Sequence, residues 1–422
     1  MKRATEHKTP RVLVGAALAL MLSAAVAPVV LAQNEVGGLP GGWLANYTGP
    51  RTVGLGGAFV AIADKPIGTL WNPAGLALIS QNELQIETTR LYDDTSINTF
   101  GFVAPFRRFP SVGFTVLTLN SGEFERTNEL NEPLGTFSQS DMAFLFTASK
   151  ELSPRIALGA NFKMVRQNVE DFSDGGYGLD LGVMFGLTNT IRLGASVLNI
   201  GGPSLSLREI DEKYPTELRS GVALNFFSGR GTVSGEVDYR EGPGATLRAG
   251  TEFWVHETVA LRVGYFDSNP AGGFSLRVAD VWSFDYGMSD HELGVVHRFG
   301  LSYQFGGFFA SSQAYPSVFS PLGQESVTQF QLVSKTKSES SSWKLDIVDK
   351  NGQVVRRFGG AGAPPAHVMW DGKNDVGLTL PDGIYEYKIV VVDSDGRTVV
   401  GHEKTVEITT AGPQGAVPVY IE

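Results

Sequence analysis

The chain has 422 residues, a formal net charge of −10 and no cysteine. The absence of cysteine excludes a disulfide framework, a thiolate nucleophile and a zinc–thiolate site. An acidic chain without runs of basic residues also argues against nucleic acid as a partner.

The first segment has the features of a secretory signal peptide. A basic leader precedes an apolar run that begins near Val12 and ends at the small-residue cleavage pattern Val30-Leu31-Ala32. We therefore expect residues 1–32 to be removed on export. A retained membrane anchor is the weaker alternative, because a proline interrupts the run. No later window approaches 18 consecutive apolar residues, so the sequence predicts no transmembrane helix.

The segment 33–81 is rich in glycine and too irregular for a pair of strands. Its stretch "LWNPAGLA" predicts a short helix that starts at Pro73 and is capped by Asn72, because proline suits the first helical position and asparagine the cap. Such a turn can plug a lumen without unsatisfied amides, and an ordinary surface turn is the alternative. The glycines at 54–57 do not complete a phosphate-binding loop motif.

From Asn82 to Phe305, apolar and polar residues alternate along segments of about ten residues. Between 218 and 226, for example, Leu218 and Leu224 share one face and Arg219 the other. An even number of such strands, apolar outside and polar inside, is typical of an outer-membrane barrel. The predicted strands are 82–90, 96–104, 111–119, 137–149, 154–167, 176–187, 190–199, 216–226, 231–240, 245–255, 258–267, 273–279, 281–288 and 293–305.

The connections favour a barrel over a soluble sandwich. Short connections such as "LTNT" alternate with long polar ones: 120–135, "QNVEDFSDG" and 199–215. Bacterial barrels have short turns on the periplasmic side and long loops outside. We expect an all-β fold: a transmembrane antiparallel barrel of about 14 strands with an N-terminal hatch.

The sequence after Phe305 predicts a separate small β-sandwich. Residues 307–317 read as a linker, and the alternating runs that follow are joined by hairpin turns at Asn351-Gly352 and Asp395-Gly396. The predicted organisation is a signal peptide (1–32), a hatch (33–81), a barrel (82–306), a linker (307–317), an Ig-like β-sandwich (318–410) and a tail (411–422).

The N-terminal stretch "GPRTVGLGGAFVAIAD…WNPAGLA" and the closing strand "LGVVHRFGLSYQF" resemble the PorV/PorQ family of outer-membrane barrels. That family is related to the FadL type of fatty-acid transporter, which also carries an Asn-Pro-Ala hatch. The resemblance implies a FadL-like fourteen-stranded barrel that serves the type IX secretion system. The candidate residues are Gly54, Gly56, Gly57, Asp64, Trp71, Asn72, Pro73, Ala74 and Gly75 in the hatch, and His297, Arg298 and Phe305 in the closing strand.

The C-terminal stretch "WKLDIVDKNGQVVRRF…WDGKNDVGLTLPDGIYEYKI" resembles the immunoglobulin-like domain of FlgD-type flagellar hook-capping proteins. The PorV/PorQ resemblance implies the outer membrane of a Gram-negative-type bacterium. An even number of strands places both ends of the barrel on the periplasmic side, so we expect the C-terminal domain in the periplasm. The implied partners are outer-membrane lipid and type IX secretion components or exported cargo.

No arrangement of residues predicts catalysis, a metal site or a cofactor. The six histidines are scattered, and no G-x-S-x-G nucleophile elbow is present. We therefore expect no enzymatic activity, and the PorV/PorQ resemblance implies that the protein is an accessory of protein export. The alternative is a FadL-like transporter with a hydrophobic small-molecule ligand. A long apolar cavity would favour that alternative, and a lumen packed by the hatch and polar side chains would count against it.

Overall fold

The computed structural model describes residues 40–410, apart from 47–48, 93, 107–108, 207–210, 242–243, 267–268, 292 and 323–325. The expected signal peptide and the tail 411–422 lie outside the described residues. The chain forms two compact units that divide after Phe305. Within the described ranges, no helix has the length and apolar character needed to span a membrane.

The first unit is a closed antiparallel barrel, which confirms the expected all-β, fourteen-stranded fold. Each strand pairs with its neighbours in the chain, and the last strand closes the barrel against the first, from Asn82 opposite Phe305 to Arg90 opposite His297. The described strands are β1 (Asn82–Arg90), β2 (Ser96–Ala104), β3 (Ser111–Asn120), β4 (Gln139–Ser153), β5 (Ile156–Val169), β6 (Phe172–Gly186), β7 (Ile191–Ile200), β8 (Glu217–Phe226), β9 (Gly231–Arg240), β10 (Gly244–His256), β11 (Val259–Phe266), β12 (Asn269–Val278), β13 (Trp282–Ser289) and β14 (Val296–Phe305).

The barrel wall follows the predicted alternation. On β8, Leu224 is 42% exposed on the outer face, whereas Arg219 and Ala223 are buried inside. Leu247 and Val263 are likewise exposed on the outer faces of β10 and β11. Since side chains alternate across a strand, this pattern places an apolar surface around the barrel and polar groups in its lumen.

The two ends of the barrel differ. We call the end that contains Asn82 and Phe305 the turn end, because its connections are short. The opposite end, the loop end, carries connections 121–138 and 201–216. Each of these two connections folds into a two-stranded ribbon: Phe124–Thr127 with Pro133–Phe137, and Ser204–Ser206 with Asp211–Lys213.

The prediction of a long polar loop at "QNVEDFSDG" is wrong. Strand β5 continues to Val169 and pairs directly with Phe172, the first residue of β6, so that Glu170 and Asp171 alone make the turn. Strand pairing satisfies the backbone N–H and C=O groups of these residues whatever their side chains. The sequence signal for a loop was only the polarity of those side chains.

A short irregular segment precedes the barrel. Helices α1 (Trp43–Asn46) and α2 (Pro50–Gly54) are followed by two 3-10 turns, Pro66–Leu70 and Pro73–Leu78. A third 3-10 turn, Phe227–Gly229, joins β8 to β9. Proline occupies an early position in α2 and in the first two 3-10 turns, where its missing N–H leaves no intrahelical bond unmade.

The second unit is a β-sandwich of two sheets, one with the strands Phe309–Tyr315, Thr328–Lys335 and His367–Trp370 and the other with the remaining strands. Trp370 and Tyr385 are buried in its core. The hairpin turns at Gly352 and Gly396 have φ of 77° and 80°. The strands are β15 (Phe309–Tyr315), β16 (Val318–Phe319), β17 (Thr328–Lys335), β18 (Ser340–Val348), β19 (Val354–Ala361), β20 (His367–Trp370), β21 (Gly383–Asp393), β22 (Thr398–Val400) and β23 (Lys404–Ile408).

The assignment of residues 307–317 to a linker is wrong. Strand β15 pairs with β17 over seven residues, from Phe309 opposite Lys335 to Tyr315 opposite Gln329. Ala310 and Ala314 belong to the sandwich core. The small side chains on one face of β15 allow this strand to pack closely on the core. Because small side chains have little hydrophobic character, the sequence of this segment resembled a linker.

Candidate functional site

The segment 49–80, which we call the hatch, lies inside the barrel. Every residue from Thr52 to Ala77 is buried except Asp64 and Lys65. Its turns contact the inner faces of strands on all sides of the lumen. A segment with few regular hydrogen bonds of its own must take them from the barrel wall, because buried backbone polar groups need partners.

Asn72 joins three parts of this arrangement. Its Oδ1 accepts a hydrogen bond from the backbone N–H of Ala74 at 3.0 Å, which caps the second 3-10 turn. Its Nδ2 donates to the carbonyl of Val60 in the hatch at 2.9 Å and to that of Val183 on β6 at 3.0 Å. One buried side chain therefore caps a turn, closes the hatch on itself and fastens it to the wall.

A ring of glycines in the barrel wall makes room for the hatch. Where these glycines lie, hatch atoms occupy the space that a Cβ would need. Glycine is required at such positions because the backbone of one segment approaches that of another too closely for a side chain. The ring passes through ten of the described strands: Gly101, Gly113, Gly159, Gly182, Gly194, Gly221, Gly250, Gly264, Gly287 and Gly300.

The glycines of the hatch serve the same close packing. Gly56 has φ of 64° and lies against the backbone of Ala249 and Tyr265 in the wall. A Cβ on Gly54 would lie 3.2 Å from the side chain of Arg262, and a Cβ on Gly75 would collide with the backbone of Ala63. Substitution of Gly56 or Gly75 would therefore force two pieces of backbone apart.

Carboxylates of the wall bind the backbone of the hatch. Glu236 on β9 accepts hydrogen bonds from the N–H groups of both Phe59 and Val60, at 2.7 Å each. At the edge of the hatch, Lys65 Nζ lies 2.7 Å from Glu83 of β1. Hydrogen bonds to ionised groups are among the stronger ones in proteins.

Arg51 holds the start of the hatch to the wall. Its Nε and Nη2 donate to the two carboxylate oxygens of Glu252 at 2.8 Å and 2.9 Å. It also pairs with Asp64 in the hatch. Burial lowers the pKa of Arg51, but the carboxylates of Asp64 and Glu252 outweigh burial and hold that pKa well above its usual value. Arg51 therefore remains charged in the lumen.

One side of the lumen is ionic. Arg262 donates to Glu252 at 2.6 Å, and Arg248 lies 3.2 Å from Asp238. The guanidinium of Arg219, fully buried, also lies 5.5 Å from the ring centre of Trp71 in the hatch. Trp71 itself donates to the carbonyl of Gly57 at 3.2 Å. Buried charges of opposite sign therefore lie side by side on this face of the lumen.

The other side of the lumen is apolar near the loop end. The inward side chains of β2 to β5 there are hydrophobic and buried in one cluster, which we call the apolar compartment: Ile97, Leu117, Ala143, Leu145 and Val165. The same cluster includes Trp43 and Leu44 of α1, together with Leu205 and Tyr214 of the second long loop. A barrel lumen is ordinarily polar, so this lining calls for an explanation.

The sequence-predicted residues fall into two groups. Those of the hatch come together: Pro73 packs on Gly159 and Gly182, and the carbonyl of Ala74 accepts from Ser149 Oγ at 3.0 Å. The closing-strand residues lie elsewhere. His297 faces outward, 2.8 Å from the hydroxyl of Tyr286. Arg298 is buried and donates to Ser289 at 3.0 Å.

The third closing-strand residue, Phe305, lies at the turn end and stacks on Tyr303, with ring centres 5.5 Å apart. Sequence reasoning missed the wall residues that hold the hatch, notably Glu236 and Glu252, and the glycine ring. The sequence signal that could have identified these wall residues is a glycine or a carboxylate at an inward position in successive strands.

Three solved structures illustrate what the barrel resembles. The chain is similar to the CymD monoaromatic hydrocarbon channel (13% identity, TM-score 0.46, covering 62% of this chain and 98% of that one). It is similar to a Pseudomonas aeruginosa FadL homologue (12% identity, TM-score 0.46, covering 62% of this chain and 98% of that one). It is also similar to the Pseudomonas putida toluene transporter TodX (12% identity, TM-score 0.47, covering 60% of this chain and 96% of that one). No curated protein sequence matches the chain.

A family model matches the second unit. Residues 320–396 match the FlgD Ig-like domain. The matched range extends from just after β16 to the hairpin turn that follows β21. The match agrees with the resemblance expected for the C-terminal β-sandwich.

Proposed function

We propose that this chain is a non-enzymatic outer-membrane barrel that takes up apolar small molecules through a lumen closed by the hatch. The outward apolar face supports a place in a bilayer, because side chains of this kind need lipid around them. At the turn end, Trp282 and Tyr303 lie on the outer face with ring centres 4.4 Å apart. Aromatic residues on the outer face near one end of a barrel are typical of the boundary between membrane and water.

The observation that carries the substrate class is the apolar compartment. In a water-filled lumen, exposed Leu117 and Leu145 would be unfavourable, yet both are fully buried, in one cluster with Trp43, Leu44 and residues of the second long loop. An apolar molecule that entered from the loop end would contact the same surface. Displacement of α1 would exchange one apolar occupant for another, at little cost in hydrophobic free energy.

The direction of uptake follows from the barrel ends. Long loops of such barrels face outward, so the apolar compartment would face the cell surface and the turn end the periplasm. The second unit, which follows Phe305, would then be periplasmic. The hatch lies between the compartment and the turn end, so release into the periplasm requires its local rearrangement.

An accessory role in protein export is the second candidate. The FlgD Ig-like domain favours it, since a separate β-sandwich offers a surface for periplasmic or secreted partners. The hatch also favours it, because the hatch fills the lumen and contacts the wall on all sides, which closes the barrel. In this case type IX secretion components or exported cargo would be the partners, as the PorV/PorQ resemblance implies.

Replacement of Leu117 by glutamine tests the uptake proposal. We expect purified protein to bind the apolar fluorophore N-phenyl-1-naphthylamine saturably, and the variant to bind it about tenfold more weakly, because a buried amide without a partner costs about 1–3 kcal/mol. Leu247→Gln, an identical change on the outer face, is the matched control and should bind as the parent does. Fluorescence titration measures both.

Gene deletion separates the two candidates. Loss of apolar-compound uptake with normal surface proteins supports transport. Unchanged uptake together with loss of proteins from the cell surface would contradict transport and establish the export role. Equal fluorophore binding by the parent and Leu117→Gln would also contradict the assignment of the compartment.

A further inference from the structure

A cavity of about 190 Å³ lies at the turn end of the lumen, next to the last residue of the hatch turns, Leu78. Its walls are the β4–β5 and β6–β7 connections and the inward faces of the adjoining strands. It is separate from the apolar compartment, which lies toward the loop end on other residues. Its volume suits a molecule of about the size of a single substituted ring.

Two arginines line this cavity, Arg155 and Arg192. Backbone contacts place both: the carbonyl of Arg155 accepts from Gly186 N–H at 2.7 Å, and Arg192 lies opposite the buried, inward-facing Ala223. In the described part of the chain, neither guanidinium has a hydrogen-bond or ion-pair partner. The arginines of the ionic side, such as Arg262, are in contrast paired with carboxylates.

The described part of the lining has a net positive charge, because it contains two arginines and a single carboxylate, Glu151. This is unusual in a chain whose net charge is −10. Guanidinium groups match the planar geometry of carboxylates, to which they can donate two hydrogen bonds. The cavity therefore favours an anion of that shape.

The remaining lining is divided between polar and apolar groups. Thr188 Oγ1 accepts from the N–H groups of Thr190 and Ile191, which fixes the β6–β7 turn beside the arginines. Leu78, Ile156 and Met184 provide apolar surface. A ligand that satisfies both parts carries a carboxylate at one end and an apolar body at the other.

We propose that this turn-end cavity binds small carboxylate anions with an apolar body. The proposal does not depend on what crosses the barrel, because the cavity lies on the turn-end side of the hatch and would be accessible from the periplasm with the hatch in place. The turn end of the lumen would then bind ligands with a charged head group, whereas the loop end is lined with apolar side chains.

Calorimetric titration of the purified full chain in detergent tests this with benzoate and benzamide, which have nearly the same shape but differ in charge. We expect saturable benzoate binding and at least tenfold weaker benzamide binding. Arg155→Met and Arg192→Met should each weaken benzoate binding by about tenfold or more, because each removes charge-assisted hydrogen bonds. Arg230→Met, at the same end but outside the lining, should leave it unchanged.

Heat-modifiable migration on a gel checks that each variant is a folded barrel. Since neither guanidinium has a hydrogen-bond or ion-pair partner among the described residues, both variants should fold as the parent does. The proposal is overturned if the parent does not bind benzoate, if benzamide binds equally well, or if both folded variants bind benzoate as tightly as the parent. Failure of this test leaves the fluorophore test of the apolar compartment unaffected, because that test uses other residues and a neutral probe.

Discussion

Replacing Gly264 with valine is expected to unseat the hatch and to destabilise the protein by about 3 kcal/mol or more. A Cβ at this position of β11 would collide with the backbone of Leu55 and Gly56. Because backbone atoms are the obstacle, no change of side-chain rotamer relieves the overlap. The expected result is faster cleavage of the hatch by protease and a lower temperature for loss of heat-modifiable migration.

Gly235→Val provides the matched control. Gly235 lies on the neighbouring part of the wall in β9, and nothing lies within 4 Å of the position its Cβ would take. The same added volume should therefore leave hatch protection and thermal stability nearly unchanged. Equal destabilisation by the two substitutions would show that the glycine ring reflects strand flexibility and not hatch contact.

Replacing Glu252 with alanine is expected to cost about 3 kcal/mol, because it removes a carboxylate that two buried guanidinium groups share. Glu252 binds Arg51 of the hatch and Arg262 of the wall, and its own side chain is only 4% exposed. Each guanidinium would lose one carboxylate partner inside the lumen, with Asp64 left for Arg51 and Asp285 left for Arg262. Thermal or denaturant unfolding in detergent measures the loss.

The exposed pair of Glu170 with Arg126 at the loop end gives the comparison. Arg126 is 56% exposed, and solvent-exposed pairs contribute about 0–1 kcal/mol. Glu170→Ala should therefore change stability little. If Glu252→Ala were as mild as Glu170→Ala, the ionic side of the lumen would be hydrated and the hatch would not depend on it.

The barrel could be predicted because the pattern that indicates it lies within each strand, between residues close in sequence. Alternation along each strand needs only neighbouring residues, and the contrast between Leu224 and Arg219 was visible in the sequence. The β5–β6 turn was missed because polarity alone does not distinguish a loop from a strand that extends beyond the rest of the barrel. The short strand β15 was missed because alanine and serine carry little hydrophobic signal.

The hatch contacts depend on long-range geometry, which the sequence does not show directly. The cap made by Asn72 was predictable from the proline that follows it, whereas its bond to Val183 joins residues 111 positions apart. The apolar compartment escaped notice for a different reason. Strands β3 and β4 carry apolar residues on both faces, so their alternation is weak and Leu117 could not be assigned to the lumen.

Ion conductance across a planar bilayer tests most directly the central claim that the hatch closes the barrel. The parent protein should show no steady open channel, because residues 49–80 and the paired charges around them occupy the lumen. A variant that lacks residues 49–80 and retains heat-modifiable migration should conduct ions continuously. Steady conductance by the parent at the level of the hatch-deleted variant would contradict the claim.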